Sequence, residues 1–229
     1  MNADTAPEGP RDAAVRAGEL VFLLHGFGGR PVLMSRIARY LQRNGYAVRN
    51  WTYGSIRKQI ADHTDRLRDE LARIDQEGRF VRVHFVTHSL GGIVVRHMLC
   101  QSLSMLTGIG RIVMLAPPNS GSHLSRIGSM LLQGLCPILC EISDRQTSFV
   151  NRLSEPRDVE VGIIAGSGDW VVPQSSTHLR NERDHIVLRG GHLRLPFLRA
   201  CVEQTGHFLK YGTFNHGEMQ RCPAQVIGQ

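Results

Sequence analysis

The residues best placed to do chemistry lie in the run Val86-Thr87-His88-Ser89-Leu90-Gly91-Gly92. It continues the apolar stretch Val83-His84-Phe85 and directly precedes the helical pattern Ile93-Val94-Val95-Arg96-His97-Met98-Leu99. A strand that breaks sharply into a helix, with serine at the apex, exposes a hydroxyl at the carboxyl edge of a sheet. Gly91 and Gly92 suit such a turn, because Cβ atoms would clash where helix and strand meet. Thr87 stands where a glycine is usual, two residues before the serine. A serine hydroxyl is a weak nucleophile until a base takes its proton. The rest of the chain must therefore supply a base and a group that orients it.

Two later strand ends offer both. Val159–Ala165 reads as a strand ending in Gly166-Ser167-Gly168-Asp169-Trp170-Val171-Val172-Pro173. His185-Ile186-Val187-Leu188 runs into Gly190-Gly191-His192. His192 is the candidate base. Asp169 is the candidate that fixes its tautomer and stabilises the imidazolium. Asp169 also fits a plain turn residue, and Asp184 is its rival, although Asp184 precedes the final strand and falls at the wrong end of the sheet. His178, His185 and His207 compete with His192. His185 begins a strand, His178 falls in the helix expected after Pro173, and His207 comes well after the expected loop.

Upstream, the apolar strand Leu20–Leu24 ends in His25-Gly26-Phe27-Gly28-Gly29. Its glycines let the backbone come close to a substrate. The backbone N–H groups of Phe27 and Leu90 are the candidate donors to an oxyanion. Tyr53, His88 and Trp170 are candidate substrate contacts. Tyr53, Trp170 and Phe27 read equally well as core or rim aromatics, and His88 as a packing residue behind the site. His25 is expected to position the first loop.

These stretches resemble the α/β-hydrolases, and within them bacterial lipases and esterases and the GPI inositol-deacylase-like group. The resemblance rests on His25–Gly29, Thr87–Gly92 and Gly166–Pro173, together with Ala116-Pro117-Pro118-Asn119-Ser120-Gly121-Ser122 and Phe208–Phe214. It covers roughly residues 19–215. The order Ser89, Asp169, His192 is the one the resemblance requires. It implies a serine esterase or lipase without a cofactor or metal, acting on a small-molecule ester or a lipid. An acyltransferase or thioesterase would use the same three residues, and a binding module could retain the fold alone.

Strands expected near 20–24, 46–51, 81–86, 111–115, 159–165 and 185–188 alternate with helical patterns. This predicts an α/β fold: a minimal, mostly parallel sheet of about six strands with helices on both faces. Pro31 opens the first helix, with Leu33, Ile37, Tyr40 and Leu41 on its buried side before Asn44-Gly45. Ile56, Ile60, Leu67, Leu71 and Ile74 recur at helical spacing in the second. Residues 1–18 read as a disordered leader, 19–215 as one domain and 216–229 as a tail. Residues 121–157 are too long for a structureless loop. We expect short helices forming a cap there. Leu124, Ile127, Met130, Leu131, Leu132, Leu135, Ile138 and Leu139 would line an acyl pocket, meet an interface or pack onto the core.

Composition sets limits. The chain has 229 residues, enough for one substantial core. Five cysteines are odd in number and form no zinc spacing, so reduced thiols are expected. The N-terminus lacks a basic start and an apolar core, which predicts a cytoplasmic protein. The balance of 27 Lys and Arg against 20 Asp and Glu gives +7. That charge is compatible with peripheral contact to anionic membranes. No recognition-helix or basic–aromatic stripe suggests nucleic acid. The oligomeric state is not written in these patterns.

Overall fold

In the computed structural model, residues 18–56, 58–101, 108–122 and 137–219 are described. Six strands form one sheet: β1 (Glu19–Leu24), β2 (Ala47–Trp51), β3 (Arg82–His88), β4 (Ile109–Leu115), β5 (Val161–Gly166) and β6 (Asp184–Leu188). Their order is β2-β1-β3-β4-β5-β6, and every pair is parallel. A parallel sheet ends all its strands on one edge, so the loops that follow the strands gather there.

The helices are α1 (Ser35–Arg43), α2 (Ile60–Gln76), α3 (Leu90–Cys100), the short α4 (Pro137–Glu141) and α5 (Phe149–Arg152), α6 (Arg199–Tyr211) and the short α7 (His216–Met219). Strand alternation assigns them to faces. On β1, Leu20, Phe22 and Leu24 pack with Ile60, Leu67 and Leu71 of α2 and Ile93 and Val94 of α3. Val21 and Leu23 point the other way, to Ile37 and Leu41 of α1 and Val202, Phe208 and Leu209 of α6. Strands buried on both faces need continuous apolar runs, and β1, β4 and β5 have them.

Two expectations need correction at helix starts. Pro31–Met34 forms a 3₁₀ turn that leads into α1, so Leu33 lies ahead of the α-helix. Ile56 lies outside α2 and is exposed. The Gln59 backbone N–H donates to Asp62 Oδ2 at 3.0 Å, and this cap fixes the helix start at Ile60. In the expected cap, Leu124, Ile127, Met130, Leu131, Leu132 and Leu135 lie outside the described residues. Ile138, Ile142 and Val150 join the α2–α3 core cluster. Cys100, Cys140 and Cys201 are free thiols. Among the described residues, no helix is long and apolar enough to cross a membrane.

His84 explains an irregularity between β3 and β4. The register shifts between Val83 and Phe85. There the His84 ring accepts the Arg111 backbone N–H at Nδ1, 2.8 Å away, so the buried donor is satisfied by a side chain.

His63 of α2 is fully buried, edge-on to Tyr53 at 4.9 Å. Neither ring nitrogen has a hydrogen-bond partner. Burial, with Arg66 adding to it, pushes its pKa down to about 4 from 6.5. Between those values the unfolded chain takes up a proton that the folded chain refuses. Stability is therefore complete above pH 6.5 and falls as the pH drops toward 4, by up to ~1.4 kcal/mol per pH unit for this one group. Urea unfolding at pH 7.5 and 5 should show a smaller loss on acidification in His63→Leu than in the native chain. Equal losses would remove His63 from the account.

Candidate active site

β3 ends at His88, and Ser89 turns the chain into α3 with φ 51° and ψ −122°. This left-handed conformation is strained for a residue with a side chain, by roughly 1–3 kcal/mol. The Ser89 N–H is held by Leu115 O at 2.8 Å, and the Gly92 N–H by Ser89 O at 2.9 Å. Gly91 makes the turn feasible. A Cβ there would stand 2.8 Å from Leu24 O and 2.9 Å from His25 O. Thr87, in the place of the usual glycine, is fully buried, and a Cβ on Gly92 would lie 3.3 Å from its Oγ1. The volume that Thr87 adds is thus met by a glycine one turn later.

The first loop is held from behind. Gly29 N–H donates to Gly26 O at 3.1 Å, and Gly28 takes φ 62°. Ser55 Oγ accepts the Gly28 N–H at 2.9 Å and donates to Gly26 O at 3.3 Å. The buried His25 donates from Nδ1 to Gly26 O at 2.9 Å and stacks on Tyr53, with ring centres 4.5 Å apart. Burial lowers its pKa. Tyr53 donates its hydroxyl to His25 O at 2.5 Å. Ser55 was not singled out in the sequence, since a lone serine after a strand carries no signal of reaching back to another loop.

Asp169 and His192 follow β5 and β6. His192 Nδ1 lies 2.7 Å from Asp169 Oδ2, and the carboxylate is fully buried. Asp169 Oδ1 accepts the N–H groups of Val171 and Val172 at 2.9 and 2.8 Å. The two loops also touch directly, because the Gly168 N–H donates to Gly190 O at 3.1 Å. His88 Nε2 donates to the backbone carbonyl of His192 at 3.1 Å, with ring centres 4.7 Å apart. Burial first, and then the neighbouring His192, push the His88 pKa down to about 3. His88 is therefore a neutral prop for the His192 loop at ordinary pH.

Ser89 and His192 both line a cavity of about 310 Å³. Its wall includes Gly26, Phe27 and His88, and its apolar side is formed by Leu33, Leu139, Ile142, Val171, Val172 and Leu193. None of the described hydrogen bonds joins Ser89 to His192. Such contacts are often long before a substrate is bound. The Leu90 N–H sits in the first turn of α3, where donors have no partner within the helix. Tyr53 is buried behind the loop and Trp170 is 89% exposed; neither is part of the cavity wall.

The competing residues are placed elsewhere. Asp184 Oδ2 accepts the Phe214 N–H, and its Oδ1 meets His216. His207 Nδ1 donates to Thr213 O. His178 pairs with Glu182 at 2.8 Å and stacks on His185 at 4.0 Å. Ligand atoms of His178, Glu182 and His185 lie within 4.8 Å of one another. The two rings are only 16° from parallel, so their in-plane lone pairs do not converge on one point.

Replacing Gly91 by alanine tests the close approach. Helix propensity alone favours alanine by ~1 kcal/mol. Backbone oxygens at 2.8 and 2.9 Å reverse that sign. A net loss of about 1–3 kcal/mol is expected in urea unfolding, and a stabilised variant would contradict the geometry.

A model of the Alpha/beta hydrolase family matches residues 21–157. Among solved structures, the product of the gene lin2722 from Listeria innocua is similar with a TM-score of 0.62 and 14% identity, covering 85% of this chain and 98% of that one. The mature form of the lipase BlEst2 of Bacillus licheniformis gives 0.67 and 16%, over 86% and 93%. The metagenomic carboxyl esterase MGS0156 gives 0.64 and 18%, over 78% and 66%. At such identities the likeness is one of fold. Comparison with curated proteins returns no match. Its sheet order, its strand-to-helix turn at Ser89 and the family match lead to one conclusion: the chain belongs to the alpha/beta hydrolase family.

Proposed function

We propose that this protein is a serine hydrolase that cleaves carboxylic esters with an apolar acyl group, through an acyl-enzyme on Ser89. The observation that carries the reading is the shared cavity. A strained serine and a histidine hydrogen-bonded to a buried aspartate line the same mainly apolar space. Lipase and esterase structures of the same fold are consistent with it.

In this reading His192 takes the Ser89 hydroxyl proton at Nε2 as Oγ attacks the ester carbonyl. Asp169 holds the Nδ1–H and stabilises the imidazolium. The Phe27 and Leu90 N–H groups receive the oxyanion of the tetrahedral intermediate. His192 then returns its proton to the leaving alcohol. A water molecule, activated by the same imidazole, releases the acid and restores Ser89. The apolar wall from Leu33, Leu139, Ile142, Val171, Val172 and Leu193 takes the acyl chain. His88 positions the His192 backbone, and Ser55 positions the loop that carries the Phe27 N–H.

Intact-protein mass spectrometry after fluorophosphonate treatment should show one adduct on the native chain and none on Ser89→Ala. With p-nitrophenyl esters, Ser89→Ala should lose ~10³–10⁶ in kcat. Asp169→Asn should lose ~10⁴ while remaining folded, because the imidazole is then held in the wrong tautomer. An adduct that survives in Ser89→Ala, or full esterase activity in that variant, overturns the assignment.

A further inference from the structure

We infer that the edge of the sheet carrying the candidate site is a docking face for an anionic lipid bilayer. The parts of five connections that directly follow the strands at this edge, residues 25–34, 52–59, 116–122, 167–173 and 189–198, contain a single acid, Asp169. Its carboxylate is buried against His192. The same connections carry Arg30, Lys58, Arg189 and Arg194, all exposed and none in an ion pair among the described residues. Glu141 of α4 is half-buried, with its carboxylate accepting the Ile60 N–H. The opposite edge differs. There Glu19 and Glu160 pair with Arg82, Arg111 and Arg183, and Asp184 meets His216. Asp62, which accepts the Gln59 N–H, and Asp144, beside Gly121, bring acids to this edge as well, but neither pairs with Arg30, Lys58, Arg189 or Arg194 among the described residues.

Apolar exposure follows the same division. Of the eight large hydrophobic side chains exposed among the described residues, Phe27, Val32, Ile56, Trp170, Leu193 and Phe197 lie in these connections. Only Val81 and Tyr211 lie elsewhere. Exposed apolar groups gathered on one face mark an interaction surface. Bare arginine and lysine among them, with a projecting tryptophan, match the headgroup region of a bilayer, where indole rings settle and cations meet anionic lipid. A soluble acidic protein would satisfy the cations but would leave Trp170 and Leu193 to find pockets. A bilayer accepts both without shape complementarity. Phe27 and Leu193 also line the cavity, so docking on this face turns the cavity mouth toward lipid. That orientation rests on the proposed ester-cleaving role; the docking itself does not.

The two tryptophans provide the readout, since Trp51 is 7% exposed and Trp170 is 89% exposed. The full chain is mixed with phosphatidylcholine vesicles, with or without phosphatidylglycerol. Co-sedimentation and a blue shift of tryptophan emission are expected only with phosphatidylglycerol, and both should fall as salt rises. Trp170→Phe should remove the blue shift. Arg30→Gln and Arg194→Gln should each weaken partitioning about fivefold and leave hydrolysis of a soluble ester unchanged. Absence of sedimentation overturns the proposal. So does equal binding to zwitterionic vesicles, or binding without a Trp170 shift. Ser89→Ala should bind vesicles like the native chain. If the native chain binds but cleaves no ester, the functional reading fails and the docking face stands.

Discussion

The approach of α3 to the end of β1 sets the terms for everything around the site. Leu24 and His25 present their carbonyl oxygens where a side chain on Gly91 would have to sit. Because that position is glycine, the helix can begin immediately after the strand, and Ser89 is forced into its left-handed turn. Within this turn the positive φ falls on Ser89 alone, and hydrogen bonds to Leu115 O and within the turn hold it. The same contact brings the loop after β1 beside the first turn of α3. That loop, held by the Ser55, His25 and Tyr53 side chains, and the serine turn then border one cavity.

Around this joint the protein relies on neutral histidines. His25, His63 and His88 are buried, and burial lowers the pKa of each. An imidazole without charge offers one donor and one acceptor in a flat, rigid frame. His25 uses its donor on the first loop, and His88 uses its own on the carbonyl of His192. The candidate base is thus held at two points of different kind, its ring by Asp169 and its backbone by His88. A lysine or arginine in either buried place would bring a charge next to an imidazole that must itself become positive in the proposed reaction.

Much of this was legible in the residues because it depends on local pattern. Short runs rich in apolar residues match all six strands to within two positions at either end, most plainly β1, β4 and β5, which lie inside the sheet. Chain order then placed Ser89, Asp169 and His192 at one edge by topology alone. Reach was harder to read. Tyr53 lies behind the first loop because its hydroxyl finds His25 O, a partner 28 positions away. Trp170 projects outward because the Asp169 carboxylate captures the Val171 and Val172 N–H groups beyond it and turns the chain at that point. Ser55 and His88 matter through backbone atoms of other loops, and no spacing in the sequence announces such pairings.

The order of the strands has a kinetic side. Phe27 and Ser89 follow β1 and β3, and Leu90 begins α3; these strands pair in one half of the sheet. Asp169 and His192 arrive with β5 and β6. The two halves meet where β4 pairs with β5, across the connection from Leu115 to Val161, the longest between sheet neighbours that follow one another in sequence. Loop closure makes that junction entropically the most expensive of these steps. A chain with only its first half assembled would carry the strained serine without Asp169 or His192. The proposed constellation is therefore a property of the completed sheet, and a partly folded chain would lack it.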